Sequence, residues 1–181
     1  MLTGKLVRLR PLELTDLDRE YTWINDPEVT EFLEARYPAS REAERAWLEG
    51  QTKVSYPDVT LAIETLAEGR HIGNLGLTNT RPEDRKAALG IMIGDKDFWS
   101  RGYGTDAVVT LLRFAFDEMN LRRVMLHTDE RNARAIACYR KCGFVEEGRL
   151  RQDRYAHGRY WDTVVMALLA DEFRALHAGP E

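Results

Sequence analysis

The nine residues Trp99-Ser100-Arg101-Gly102-Tyr103-Gly104-Thr105-Asp106-Ala107 join two patterns of different period. Upstream, Leu89, Ile91 and Ile93 alternate as in a half-buried strand. Downstream, Val108, Val109, Leu111, Leu112, Ala115, Phe116 and Met119 recur with helical period, opposite a face of Asp106, Thr110, Arg113 and Asp117. A strand must therefore give way to a helix across a loop with two glycines one residue apart. Such glycines permit a tight turn and leave amides uncovered by side chains. The unpaired N–H groups of the helix start add the positive end of its dipole. A loop built this way holds a phosphate or a pyrophosphate.

The rest of the chain narrows the ligand. At 181 residues it is expected to form a single domain over 1–181, burying roughly 70% of its unfolded surface. A net charge of −4 provides no basic footprint, so no nucleic-acid partner is expected. No apolar run reaches membrane-spanning length, so no membrane partner is expected either. Residues 1–10 alternate charge instead of placing a basic patch before an apolar core, which argues against a secretory leader and for the cytoplasm. Cys138 and Cys142 lie four apart in one expected helix, and His71, His127, His157 and His177 are scattered. That set suits neither a zinc site nor a disulfide framework, so no metal is expected and both thiols read as packing residues.

Strands are expected at 5–10, 59–65, 71–79, 87–94, 122–128, 144–150 and 160–168. Helices are expected at 15–25 with Thr15 as N-cap, at 28–33, from Ser40 to about Thr52, at 105–119, at 132–142 and from Asp171. Asn132 is the natural N-cap of the fifth helix and Gly143 its terminator. Three consecutive strands in the middle form a meander. The pattern points to an α+β fold with a mostly antiparallel sheet, not a doubly wound one.

Gly102-x-Gly104-x-x-Ala107 with Asp129 downstream matches a dinucleotide fingerprint taken literally. Against a nicotinamide cofactor, residues 95–101 separate strand from glycine, and nothing later supplies a second half-site. A tight turn with no ligand is the plainer alternative.

A resemblance adds to these readings. Trp99 to Thr105 resembles the pyrophosphate loop of the GCN5-related N-acetyltransferases (GNAT), summarised as Gln/Arg-x-x-Gly-x-Gly/Ala. Asn132-Ala133-Arg134-Ala135-Ile136-Ala137-Cys138-Tyr139-Arg140-Lys141-Cys142-Gly143-Phe144 resembles the family's Asn-x-x-Ala-x-x-x-Tyr-x-Lys-x-Gly-Phe segment. Tyr155-x-x-Gly158-x-Tyr160-x-Asp162-x-x-x-Met166 and Trp23-x-Asn25-Asp26-Pro27 resemble the branch of ribosomal-protein N-terminal and spermidine acetyltransferases. The likeness implies acetyl-CoA as acetyl donor, no metal, and direct transfer to a primary amine in a ternary complex. The acceptor could be a protein N-terminus, a polyamine, an amino sugar or an aminoglycoside; a homodimer is compatible with it. It also implies a GNAT fold, a mixed sheet of six to seven strands flanked by helices and splayed between 87–94 and 122–128. A non-catalytic acyl-CoA-binding module is the alternative from another class.

Site residues follow from the same likeness. Coenzyme contacts are expected at Gly102, Tyr103, Gly104 and Thr105, at Arg101 beside them, and at Asn132. Amides around Met92 and Ile93 are expected to face the thioester oxygen as charge builds on it. Tyr139 is the expected general acid, a phenol of pKa ~10 serving a thiolate whose acid lies near ~8.5. Asn132 and Tyr139 are two helical turns apart, so they share a face about 10 Å long; Arg134, Arg140 and Lys141 read as lying opposite. Asn132 as cap only, Tyr139 as core only and Arg101 as merely solvated remain open. Relatives often carry glutamate where Ala88 stands, so no general base is assigned. Trp23, Phe32, Tyr37 and Trp47, with Asp26, Glu28, Glu31 and Glu34, are expected to shape the acceptor side together with the 154–160 turn. Those acids either attract a cationic amine or form a solvated face.

Overall fold

A computed structural model describes residues 1–51 and 58–177. It contains one eight-stranded sheet in the order β1-β2-β3-β4-β5-β6-β8-β7. The strands are β1 (Leu2–Thr3), β2 (Val7–Pro11), β3 (Val59–Thr65), β4 (His71–Arg81), β5 (Lys86–Ile93), β6 (Arg123–Asp129), β7 (Val145–Ala156) and β8 (Arg159–Leu169). The helices are α1 (Leu17–Ile24), α2 (Pro27–Thr30), α3 (Arg41–Gln51), α4 (Tyr103–Arg113), α5 (Ala133–Cys142) and α6 (Ala170–His177). All strand pairs are antiparallel except β5 with β6. The expected α+β class and mostly antiparallel sheet hold, with one strand beyond the seven expected. That strand, β1, is two residues long and is defined by its pairing with Arg8 and Leu9 rather than by any periodicity of its own.

Strand alternation sorts the sheet into two faces. Val7, Leu9, Ile63, Leu75, Leu77 and Leu89 point to one side and pack under α4 and α5 with Val108, Leu111, Leu112 and Phe116. Arg10, Ala62, Asn74 and Met92 form one cross-strand row on the other side, beneath α1, α2 and α3. Leu48 of α3 packs with Ala62, and Trp23 of α1 packs with Met92 and Val29.

Local ends differ from the sequence reading where tertiary partners decide. The first helix was expected at Thr15; instead a 3-10 turn spans Leu14–Asp16, and the Asp16 carboxylate accepts from the Glu13 N–H at 2.9 Å. Arg10 grips the same carboxylate with two nitrogens, at 2.7 and 2.8 Å, which places the cap at Asp16. The helix expected at 28–33 is the short α2, capped by Asp26, whose side chain accepts from Glu28 N–H. After Arg113, α4 widens into a π turn over Phe114–Glu118, closed by Met119 N–H on the Phe114 carbonyl. Thr52, the expected end of the third helix, lies outside the described residues.

The feature that positions a site is the separation of β5 from β6. They pair in parallel at Lys86–Arg123, Ala87–Val124 and Ala88–Met125 and then diverge, although β5 continues to Ile93 and β6 to Asp129. The expected splay is therefore present.

Candidate active site

A cleft of about 1140 Å³ runs through the splay. Its two halves differ in chemistry.

One half is built by α4 and α5. Gly102 caps α4 with φ of +89°, a left-handed conformation open to glycine at little cost. The first intrahelical bond is from Asp106 N–H to the Gly102 carbonyl at 3.0 Å. The N–H groups of Tyr103, Gly104 and Thr105 precede it and have no partner within the helix. No side chain covers Gly104: a Cβ there would first meet Ile93 Cγ1 at 3.8 Å and Cys138 Sγ at 3.9 Å. The one acid of this first turn faces elsewhere, since the Asp106 carboxylate accepts from the N–H groups of Lys5, Leu6 and Val7. Three free amides, a helix dipole and a bare glycine fit a diphosphate. Positive charge reinforces the fit. Arg134 stacks on Trp99, 3.7 Å from the ring centre, and lines the cleft, as does Lys141.

Arg134 and Lys141 were expected opposite the Asn132–Tyr139 face. Long flexible side chains reach around a helix, so Cα spacing alone misplaced their charged ends. Gly102, Gly104, Thr105, Asn132, Met92, Ile93 and Tyr139 all line the cleft. The Arg101 and Tyr103 side chains do not. Tyr103 packs edge-on against Phe98, and Arg101 lies over the Phe98 ring and donates to the Asp97 carbonyl at 3.0 Å.

At the gap, Trp99 Nε1 donates to the Ile93 carbonyl at 2.7 Å. The two backbone groups of a strand residue point to the same edge, so the Ile93 N–H faces the open side. Met92 turns the other way, its carbonyl crowding Gly73 of β4. Of the two expected amides, Ile93 is the one aimed into the gap. Asn132 caps α5 through its side chain, accepting from Ala135 N–H at 3.2 Å. Tyr139 is 7% exposed and packs edge-on against Phe144. Burial first, then the neighbouring Cys138 and Cys142 thiols, push its phenol above its ordinary value of 10.0, so the hydroxyl keeps its proton at neutral pH. Cys138 Sγ lies 3.3 Å from Thr105 Oγ1 at the cleft wall. Both cysteines are free thiols, and no three-residue group able to hold a metal occurs among the described residues.

The other half is floored by the β3–β5 face and roofed by α1 to α3. Gly90 leaves open space above the floor, and Ala88 lines it without a carboxylate. Phe32 and Trp47 line this half as expected; Trp23 is packed beneath it, and Tyr37 is exposed. Among the expected acids, Asp26 and Glu28 are both held by Lys96 at 2.8 Å, and Glu31 is held by Arg131 and His157. Glu34 lines the cleft. Beside the exposed Asp58, two buried acids that sequence reasoning missed also line it, Glu20 and Glu44. No local signal marks them, because each is an ordinary polar position on an amphipathic helix. The 154–160 turn acts by support. Arg154 donates to the carbonyls of Glu31, Phe32 and Leu33 at 2.8–2.9 Å, tying the β7–β8 hairpin to the wall of the cleft.

Comparison with known proteins gives a consistent picture. A family model described as an acetyltransferase (GNAT) domain matches residues 7–145. Spermidine N(1)-acetyltransferase of Escherichia coli (strain K12) is 27% identical over 181 residues, spanning 99% of this chain and 95% of its own. An N-acetyltransferase of Bacillus licheniformis named p20 is 26% identical over 167 residues, spanning 91% of this chain and 93% of its own. The crystal structure of Vibrio cholerae spermidine N-acetyltransferase in complex with CoA and spermine superposes with a TM-score of 0.84 at 24% identity, covering 92% of this chain and 97% of that one.

Proposed function

The chain belongs to the GNAT acetyltransferase family, and we propose that its cleft seats the coenzyme diphosphate on the start of α4 and presents the acetyl group to an amine lying over β4 and β5. Acetyl transfer from acetyl-CoA to a primary amine is the family's reaction, and the chain is an N-acetyltransferase. The assignment of roles within it rests on one observation: Gly104 and Thr105 at the start of α4, whose amides have no partner within the helix, the gap beside Ile93 and Tyr139 all line one cleft.

Acetyl-CoA supplies a thioester whose carbonyl gains negative charge under attack and whose sulfur leaves as a thiolate. In this reading the α4 amides hold the diphosphate, with Arg134 adding charge from its stacked position on Trp99. Asn132 both caps α5 and meets the extended arm. The Ile93 N–H stabilises the carbonyl oxygen. Tyr139 donates a hydrogen bond to the departing sulfur. Its raised pKa makes full proton transfer uphill, so its contribution is polar stabilisation more than ionisation. No residue is assigned as general base. A single domain, a cytoplasmic setting and a homodimer belong to the same reading; no helix among the described residues is long and apolar enough to cross a membrane.

The test follows free thiol release from acetyl-CoA against a panel of amines. Tyr139→Phe is expected to lower kcat about 100-fold while coenzyme affinity, measured by calorimetry, stays within twofold. Release that is equally fast in the variant would remove Tyr139 from the reaction.

A further inference from the structure

The acceptor half contains a buried carboxylate without a counter-charge. Glu44, on α3, is 7% exposed and lines the cleft, and no hydrogen bond or ion pair to its carboxylate occurs among the described residues. Glu20, on α1, is 1% exposed and lines the cleft behind it. Glu20 Oε2 accepts from Asn74 Nδ2 at 2.8 Å. Its Oε1 sits 3.2 Å from His71 Nε2, but that nitrogen is engaged with the Gly73 carbonyl at 2.9 Å, so Oε1 has no aligned donor. A buried carboxylate left unpaired, as at Glu44, costs free energy that a bound cation would recover. Burial, and then repulsion from Glu20, raise the pKa of Glu44 in the free protein.

We propose that Glu44, backed by Glu20, is a subsite for a second, unreactive cationic group of the acceptor, so that the preferred substrate is an extended amine charged at both ends. This rests on the amine-transfer reading above. The reacting nitrogen cannot itself sit at Glu44, because it must be neutral to attack and an adjacent carboxylate would hold it protonated. Position agrees with that division. The row Ala62, Asn74, Met92 crosses three strands towards the gap. Leu48, one helical turn from Glu44, packs on Ala62 at the far end of the row, while Met92 adjoins the gap. Glu20 bonds to Asn74 in the middle of the row, so one to two strand spacings, about 5–10 Å, separate the subsite from the reacting end. Between them, Gly90 leaves the floor bare for an alkyl chain. The opposite half holds Arg134, Lys141 and the α4 amides, so charge is segregated along the cleft, with the anionic donor at one end and the cationic acceptor at the other.

The test uses the full chain and two probes of equal length, the straight eight-carbon diamine and octylamine. The readout is the ratio of kcat/KM for diamine over monoamine. In Glu44→Gln that ratio is expected to fall at least 10-fold, through KM. In Glu44→Asp, whose carboxylate is withdrawn by one methylene, the preferred diamine is expected to lengthen. An unchanged ratio in Glu44→Gln overturns the subsite, as does an unmoved length preference in Glu44→Asp. If neither amine is acetylated, the amine-transfer reading fails first, and calorimetry still decides the subsite. Diamine binding that is present in the wild type and lost in Glu44→Gln supports it; equal binding, or none in either, overturns it.

Discussion

Gly104 separates what the fold requires from what the ligand requires. A Cβ there would find no atom outside its own helix turn closer than 3.8 Å in the free protein, so folding alone tolerates alanine at this position. A diphosphate seated on the amides of the first turn would compete for that same space. Gly104→Ala is therefore expected to leave the melting temperature within about 2 °C, a shift of a few tenths of a kcal/mol, and to weaken coenzyme binding at least 10-fold, about 1.4 kcal/mol. Calorimetry on the two proteins checks both halves. Affinity equal to wild type would remove the α4 start from the coenzyme site. Cys138 offers an independent reading of the same wall. Its thiol lies between Thr105 and the Gly104 surface, and a hydrogen bond from Cys142, the larger influence, outweighs burial to make it the more acidic of the pair. Alkylation of Cys138 is expected to slow at least fivefold when coenzyme A is bound. Equal rates with and without it would place the ligand elsewhere.

At the scale of elements, α4 has a second duty that periodicity does not reveal. Asp106 lies on its polar face, and an acid in a first turn ordinarily reads as favourable with the helix dipole. In the structure its carboxylate takes three backbone N–H groups from Lys5, Leu6 and Val7, a hundred residues away, and so pins the turn between β1 and β2. The approach is close enough that a Cβ on Gly4 would lie 2.5 Å from Asp106 Oδ2 and from Thr110 Oγ1. Asp106→Ala is expected to cost about 2–3 kcal/mol, since hydrogen bonds to a charged acceptor are the strong ones and the Val7 amide is buried. Urea unfolding reads this directly; a loss below about 0.5 kcal/mol would show that water replaces the carboxylate. The contrast explains what was legible in advance. Strand β3 and the caps of α5 follow from alternation and from Asn132 and Gly143, which are local signals, and the glycine loop with the Asn-to-Phe segment carried the family. The Asp16 cap and the two-residue β1 depend on partners only three to seven residues away but outside any periodic pattern, while the stacking of Arg134 on Trp99 and the setting of Glu20 against Asn74 and His71 depend on partners distant in sequence. Periodicity holds no information about those partners.

Across the whole molecule, charge buried beneath the helical face of the sheet sets how stability varies with pH. Arg8 and Arg10 pair with Glu64, Arg10 continues to Asp16, and His71 lies 3.2 Å from both Asp16 and Glu20. Burial alone would raise the Asp16 carboxyl, but Arg10, His71 and the Glu13 amide outweigh it and hold it well below its ordinary 3.8. Glu64 is likewise held below 4.5 by Arg10 and Arg8 against burial. A depressed carboxyl contributes stability above its unfolded pKa and loses it as pH falls through the folded one, so both are fully effective above 4.5. His71 has the opposite sign. Burial would lower it, yet Asp16 and Glu20 outweigh burial and raise it above 6.5. Its contribution is complete below 6.5 and is lost as pH climbs through the raised value. Glu44, raised from 4.5 by burial and Glu20, erodes stability in the same direction but starts lower. The stability maximum is therefore expected between 4.5 and 6.5, on the acid side of neutrality, with a decline above 6.5 that His71→Gln abolishes. Urea midpoints of the full chain from about pH 4 to about pH 9 measure it. A wild-type midpoint that keeps rising beyond 6.5 would mean that His71 is not held as a cation between the two acids. The same series on Glu44→Gln isolates the lower limb: removing a repelled, unpartnered carboxylate is expected to raise the midpoint near neutrality. A bound diamine that answers Glu44 is expected to do the same to the wild type.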